Sequence, residues 1–365
     1  MSLRDKKRIV IKVGSALIAP QSNGCSTKYL KNIAQFVLRC RANGQDVVIV
    51  SSGSVAAGKQ WFRDKRPQQG LKKAMAATGQ TEMMAMWDKL LNVPLAQLLL
   101  THADFNDRER YMSIQDTIES ILAGGVVPVV NENDTVSCER IKVGDNDNLA
   151  AMTAAATKAD ALIMCTDVDG LFDKNPQHFA DAKLIDTVAE IDPHIWSMAG
   201  DSSSDVGTGG MHTKLQAADK ATAHGIDTYI VNGFNSISFY SLLQGVNPGT
   251  LFKGKSAPMS PAQHWLTHTV KHRGEVIISN DKSPIAGDDE QLTSDDIVDV
   301  NGQFSVGDTI LLKSDDGTCL AKAKTKFSSC LLKFLKKEQG NLSSADIHVQ
   351  KTSIIHNEHI AVLEK

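Results

Sequence analysis

"RIVIKVGSAL" (Arg8–Leu17) opens the chain with a short β-branched run that stops at a glycine and a serine. A run of this length bounded by small residues reads as a strand, and Gly-Ser after it marks a tight turn or a helix start. The same pattern recurs in "DVVIV" (Asp46–Val50), "VVPVV" (Val126–Val130), "ALIMCT" (Ala161–Thr166) and "DTYIV" (Asp227–Val231). Between the first two strands, "TKYLKNIAQFVLRCRAN" places Leu30, Ile33, Val37 and Leu38 at helical spacing, and Gly44 stops it. "NLAAMTAAATKA" (Asn148–Ala159) and "TKLQAADKATAHG" (Thr213–Gly225) are alanine-rich and read as helices packed closely on a sheet. Strands alternating with helices predict an α/β fold, an open and mostly parallel sheet sandwiched by helices. In such sheets ligands bind beyond the carboxyl ends of the strands, where the glycine- and Asp/Asn-rich stretches of this chain fall.

Composition narrows the function. The 365 residues suggest about two domains, and 42% hydrophobic with 22% charged residues is ordinary for a soluble globular protein. A net charge of −3 gives no broad reason to expect nucleic acid or an anionic membrane as partner. The six cysteines are scattered without a C-x-x-C pair, which argues against zinc and disulfides. No apolar signal segment and no membrane-spanning run is present, so a cytoplasmic protein is expected.

The pattern changes after "NPGTLFKGKSAPMSPAQ", where Pro248, Pro258 and Pro261 break any long element. The expected organisation is a first domain over 1–255, a linker over 256–270, a small β-rich module over 271–348 and a tail over 349–365. "GEVIIS", "DIVDV", "DTILLK" and "CLAKAK" read as the module's strands. "KAKTKFSSCLLKFLKK" (Lys322–Lys337) reads as an amphipathic element, with Phe327, Leu331, Phe334 and Leu335 packed inward and its lysines solvated.

One motif is a decoy. "GTLFKGKS" (Gly249–Ser256) fits the P-loop pattern letter for letter, but the flanking prolines forbid the helix that a P-loop needs. Three other loops suit anions better. Lys12 stands near the end of the first strand with Gly14 and Ser15 beyond it, where small residues let backbone N–H groups reach a phosphate. Ser52 and Gly53, in "VSSGSVAAG", offer donors suited to a carboxylate. "DVGTGGMHTK" (Asp205–Lys214) is a glycine-rich loop leading into a helix, with Lys214 near its positive end. Facing these loops is an acidic cluster, "NENDT" (Asn131–Thr135) and "IKVGDNDNL" (Ile141–Leu149). It needs a cation: Mg²⁺ with a nucleotide is one candidate and a substrate ammonium the other.

"IKVGSAL", "VSSGSVAAG", "VPVVNENDTV", "IKVGDNDNLAA", "TDVDGLF" and "GTGGMHTKLQAA", in this order, resemble the amino acid kinase family. The pairing of "NEND…KVGDNDNL" with "GTGGM-x-TK" resembles its glutamate-phosphorylating branch, and the carbamate, uridylate and acetylglutamate branches do not share it in this form. The resemblance implies ATP-dependent phosphorylation of the L-glutamate γ-carboxylate, the first step of proline biosynthesis, with Mg²⁺ accompanying ATP. It implies catalytic roles for Lys12, Lys214 and Asp147. Glutamate would meet Ser52, Asp134 and Asn146, supported by Gly53, Asn131 and Asp145. ATP would meet Lys12, Gly14, Ser15, Thr166, Asp167, Thr208, Gly209, Gly210, Met211, His212, Thr213 and Lys214. It also implies proline as an inhibitor, a homo-oligomer (dimer or tetramer) and hand-off of the acyl phosphate to a glutamyl phosphate reductase. On this reading the cluster's cation is the substrate's ammonium, with Lys12 and Lys214 as secondary partners of Asp147. The trailing module is similar to a PUA domain, but its acidic stretch "SPIAGDDEQLTSDDIVDVNG" would repel an RNA backbone, so RNA is not expected as a partner. Two competing readings are a sibling kinase for another carboxylate or carbamate, and an RNA-binding or regulatory protein on a spent kinase scaffold. The intact lysines and glycine loop count against the second.

Overall fold

The computed structural model describes residues 2–21, 24–62, 70–137, 146–199, 210–256, 266–267, 270–279, 292–337 and 352–363. The chain divides into two compact units, Met1–Pro258 and Met259–Lys365. The expected linker lies mostly outside the described residues.

The first unit is built on β1 (Arg8–Val13), β2 (Asp46–Ser51), β3 (Leu95–Leu100), β4 (Val127–Glu132), β5 (Ala161–Thr166), β6 (Thr187–Val188), β7 (Asp227–Asn232) and β8 (Thr250–Phe252). They form one sheet in the order β3-β4-β2-β1-β5-β7-β8-β6. All neighbours run parallel except β8, which is antiparallel to β7. Strands β1 and β5 have the expected bounds, while β2, β4 and β7 run one or two residues further at their carboxyl ends. The decoy "GTLFKGKS" contains β8, and a Cβ at Gly249 would lie 2.1 Å from the Ile230 carbonyl oxygen. It is a strand packed edge to edge, not a phosphate loop.

Ten α-helices lie among the described residues of this unit: α1 (Ser15–Ile18), α2 (Thr27–Ala42), α3 (Ser54–Gly58), α4 (Leu71–Leu91), α5 (His102–Asn106), α6 (Arg108–Ala123), α7 (Asn146–Ala156), α8 (Pro193–Met198), α9 (Met211–Ala223) and α10 (Ser236–Leu243). The two-residue period of β1 sorts the layers. Ile9, Ile11 and Val13 join a core with Leu30, Ile33, Phe36 and Val37 of α2 and Met83 and Trp87 of α4. Leu38, expected inside, is only partly buried at the margin of that core, because Phe36 takes the inward position. On the opposite face, Val10 joins Leu149, Ala150 and Ala154 of α7 and Leu215 and Ala218 of α9. Lys12 follows Val10 on that second face, which directs it toward α7 and α9. Alanines let these helices approach the sheet and each other closely. Helices α7 and α9 each begin two residues earlier than expected, so Asp147 and Thr213 fall in their first turns.

The second unit holds β9 (Gly274–Ile278), β10 (Ile297–Gly302), β11 (Thr309–Ser314), β12 (Cys319–Thr325), β13 (Ile355–Val362) and α11 (Ser329–Lys337). Its sheet order is β10-β9-β11-β12-β13. Residues 349–365, expected as a tail, instead supply β13, which runs antiparallel to β12. Alternate residues of β12, Ala321 and Ala323, reach the core together with Leu332 of α11. The amphipathic reading of this region shifts: α11 buries Leu332 and Leu335, while Leu331 and Phe334 are exposed. The expected first residues, Lys322–Thr325, belong to β12, so the helical phase starts later. No described helix is long and apolar enough to cross a membrane, and Cys25, Cys40, Cys165, Cys319 and Cys330 are free thiols.

Helices α3 and α4 cross without side chains between them. A Cβ at Gly79 would lie 1.9 Å from the Ser54 carbonyl oxygen and 2.5 Å from the Gly58 nitrogen. Backbone cannot yield as a flexible side chain can. Gly79→Ala is therefore expected to destabilise the protein by about 1–3 kcal/mol, measured as a lowered Tm in thermal unfolding.

Candidate active site

The carboxyl ends of β1, β2, β4 and β5 converge with the first turns of α7 and α9. Asp147 is 1% exposed and lies between two lysines. Its Oδ1 is 2.6 Å from Lys12 Nζ and its Oδ2 is 3.2 Å from Lys214 Nζ. The Thr213 hydroxyl donates to Oδ2 at 3.0 Å. Both lysines are buried as well. The lysines expected as secondary partners of Asp147 both contact it directly, and all three side chains share one buried site. Burial on its own would raise the Asp147 pKa, but the charges of Lys12 and Lys214 and hydrogen bonds from Lys12 and Thr213 hold it below its ordinary value. At Lys214 burial lowers the pKa, Asp147 opposes that, and the Lys12 charge adds to it, with a net lowering.

Gly14 leaves space beside this triad. A Cβ there would lie 3.3 Å from the Cys165 carbonyl oxygen and 4.0 Å from Lys12 Nζ. Gly14 caps the short α1 and Ser15 begins it, exposed. Thr166 ends β5, with its hydroxyl donating to Asp167 Oδ1 at 3.0 Å, and Asp167 is exposed. Gly210 caps α9, where Met211, His212, Thr213 and Lys214 form the first turn. The His212 ring packs against Trp196 of α8 at 5.2 Å between centroids. Thr208, Gly209 and Asp145 lie outside the described residues.

A second set is made of amides and hydroxyls. Asn146 Nδ2 donates to the Ser52 hydroxyl at 2.8 Å, to Asn131 Oδ1 at 3.2 Å and to the Ser51 carbonyl at 3.3 Å. Gly53 makes the sharp turn after β2 with φ +88, and a Cβ there would lie 2.8 Å from Ile18 Cβ. This turn aims Ser54 so that its hydroxyl donates to Asp134 Oδ2 at 3.2 Å. Burial raises the Asp134 pKa, opposed by the Ser54 hydrogen bond and the Lys72 charge. Such a carboxylate is held ready for a cationic partner.

The arrangement thus has a lysine-flanked half suited to phosphate and an acceptor-rich half suited to an ammonium. Residues 7–232 match the amino acid kinase family. The chain belongs to that family. It is 52% identical over 362 residues to glutamate 5-kinase 1 of Pseudoalteromonas translucida, with 98% of each chain covered. It is 48% identical over 363 residues to the glutamate 5-kinase of Idiomarina loihiensis, again over 98% of each. The glutamate 5-kinase of Salinibacter ruber is 39% identical over 374 residues, with 99% of each covered.

Within this amino acid kinase, sequence reasoning missed several groups. Ser54 is one. Gln80 of α4 accepts from Asn131 Nδ2 at 2.8 Å and donates to Gln97 Oε1 of β3 at 3.1 Å. The signal was available: Gln80 is a polar residue on the buried stripe Ala76, Met83 and Trp87. Lys220 of α9 donates to Asn148 Oδ1 of α7 at 2.6 Å, clasping the two helices beside the triad.

The triad makes a pH prediction. For a reaction that uses Lys214 as a cation, activity is expected to fall as pH rises through its pKa, which is below the ordinary lysine value. Asp147 opposes that lowering, so its loss would lower the Lys214 pKa further. In Asp147→Asn the alkaline limb of the kcat profile is expected at lower pH than in the wild type, measured by initial rates across the alkaline range.

Proposed function

We propose that this amino acid kinase transfers the γ-phosphoryl group of ATP to the γ-carboxylate of L-glutamate, forming L-glutamyl 5-phosphate for proline biosynthesis. The observation that carries the reading is the buried pair Lys12 and Lys214 held side by side on Asp147. It sits next to the Ser52, Asn131, Asn146 and Asp134 set, and full-length similarity to glutamate 5-kinases supports it.

The chemistry follows from charge. A γ-carboxylate approaching an anionic γ-phosphate about 4 Å away is repelled by roughly 4 kcal/mol at an effective dielectric near 20. The lysines offset this and follow the charge that spreads onto the equatorial oxygens. No general base is needed, because a carboxylate is already ionised at neutral pH. Among the described residues no group of three His, Cys, Asp or Glu forms a metal site, and both oxygens of Asp147 are engaged by lysines. Mg²⁺ would come with the arriving nucleotide and neutralise its phosphates, as is usual for this ion. Gly14, Ser15, Thr166, Asp167 and the Thr208–Lys214 stretch are the proposed nucleotide contacts. Ser52, Gly53, Asn131, Asp134, Asp145 and Asn146 are the proposed glutamate side, where acceptors meet the α-ammonium. Under this reading proline competes as an inhibitor, the cytoplasmic enzyme assembles as a dimer or tetramer, and a reductase consumes its short-lived acyl phosphate.

Hydroxylamine trapping with MgATP tests the reading. Hydroxamate is expected from L-glutamate, suppressed by proline, and not from N-acetyl-L-glutamate, which lacks the ammonium. Product from the acetylated substrate instead would assign a sibling kinase. Lys12→Ala and Lys214→Ala are each expected to lower kcat in this assay by on the order of a hundredfold or more. Near-wild-type turnover in either variant would remove that lysine from the mechanism.

A further inference from the structure

We infer that Gln80 is a positioning residue that anchors Asn131 and, through it, holds the Asn146 amide in place for the substrate, an inference resting on the glutamate kinase reading above. The orientation of each amide in this chain is dictated by neighbours that cannot reverse their own role. The Glu132 backbone N–H is only a donor, and it lies 2.9 Å from the Asn131 side chain, so the Asn131 atom facing it is Oδ1. The other end of Asn131 is then Nδ2, and 2.8 Å from it Gln80 must present its oxygen. The Gln80 nitrogen consequently points to Gln97 Oε1 at 3.1 Å, on a residue exposed enough to accommodate either orientation.

The opposite direction along the chain is fixed as firmly. Asn131 Oδ1 and the Ser51 carbonyl are both acceptors facing Asn146, so the Asn146 atom between them is Nδ2. What remains is Asn146 Oδ1, a buried acceptor without a hydrogen-bond partner among the described residues. An acceptor held there suits a donor such as an ammonium and repels a carboxylate. Gln80 is 8% exposed and Asn131 1% exposed, so water does not readily replace either partner. Without the Gln80 oxygen, Asn131 Nδ2 becomes a buried donor with no acceptor, which is costly. The Glu132 N–H still holds Asn131 Oδ1, so the amide does not turn over; it shifts toward another acceptor, and the 3.2 Å contact between its Oδ1 and Asn146 Nδ2 is disturbed.

The test compares Gln80→Met, which keeps volume and removes both polar atoms, with Gln80→Glu, which keeps an acceptor toward Asn131 and lets Gln97 turn to donate. The hydroxamate assay with L-glutamate and MgATP gives KM and kcat for each, with thermal unfolding as a check on folding. In Gln80→Met, KM for L-glutamate is expected to rise by about tenfold or more, as for loss of one hydrogen bond to a charged group. KM for ATP should stay within about twofold, and Gln80→Glu should hold KM for L-glutamate within about threefold of wild type. Lowered Tm with an unchanged KM for L-glutamate in both variants would make Gln80 a structural filler and overturn the inference. So would a parallel rise in both KM values. If Gln80→Met does not fold, a tenfold rise in the Glu variant overturns it alone. Failure of the wild type to form hydroxamate from L-glutamate would sink the parent reading instead, so the two failures are separable.

Discussion

Two lysines cannot remain charged side by side in a buried site without an anion between them, and Asp147 is that anion. The attraction to each lysine is of the order of a few kcal/mol at an effective dielectric near 20; it opposes burial and mutual repulsion, which at Lys214 still leave a net lowering of the pKa. Much of the first unit serves to make this possible. The strand period of β1 brings Lys12 out on the face of Val10, not that of Ile11. The alanines of α7 and α9 bring both helices close enough for Asp147 to meet side chains from a strand and a neighbouring helix at once. With two cations on one carboxylate the triad carries a net positive charge, an attractive place for a phosphoryl group whose charge is moving.

Asn146 and Asp147 are consecutive, yet they belong to different chemistries. Successive residues of a helix project about 100° apart, so one turn of α7 can face two neighbours. Asn146 turns to Ser52 and Asn131, and Asp147 turns to the lysines. The amide half contains few formal charges and is ordered by donors and acceptors in fixed sequence. The lysine half is ordered by Coulomb attraction. Placing both on adjacent residues fixes the distance between the amide set and the lysine pair.

Much of the first unit was legible because its central strands are β-branched and end at small residues. Strands β1 and β5 were read to the residue. Strand β3, "LAQLLL", escaped because its leucines fit a helix as well as a strand, and it pairs on one side only. Lys12 and Lys214 are legible because each stands beside a loop of small residues that suits a phosphate. Their direct contact with Asp147 is not legible, because sequence gives no distances. Gln80 and Ser54 were missed for the same reason: their partners lie tens of residues away and only packing brings them together. The last strand reads as a tail because "IHNEHIAV" has polar residues in its middle and no turn signal that ties it to β12.

That last strand bears on how the protein is made. Strand β13 lies at the edge of the second sheet and covers β12, whose alternating pattern would otherwise leave a row of open backbone donors and acceptors. The first unit has all its strands by Phe252, so it can complete its sheet while translation continues. The second unit cannot, because its final partner leaves the ribosome after every other strand. A chain cut short before Ile355 would carry a finished kinase unit together with an unsealed sheet edge, prone to pair with the same edge on another such chain.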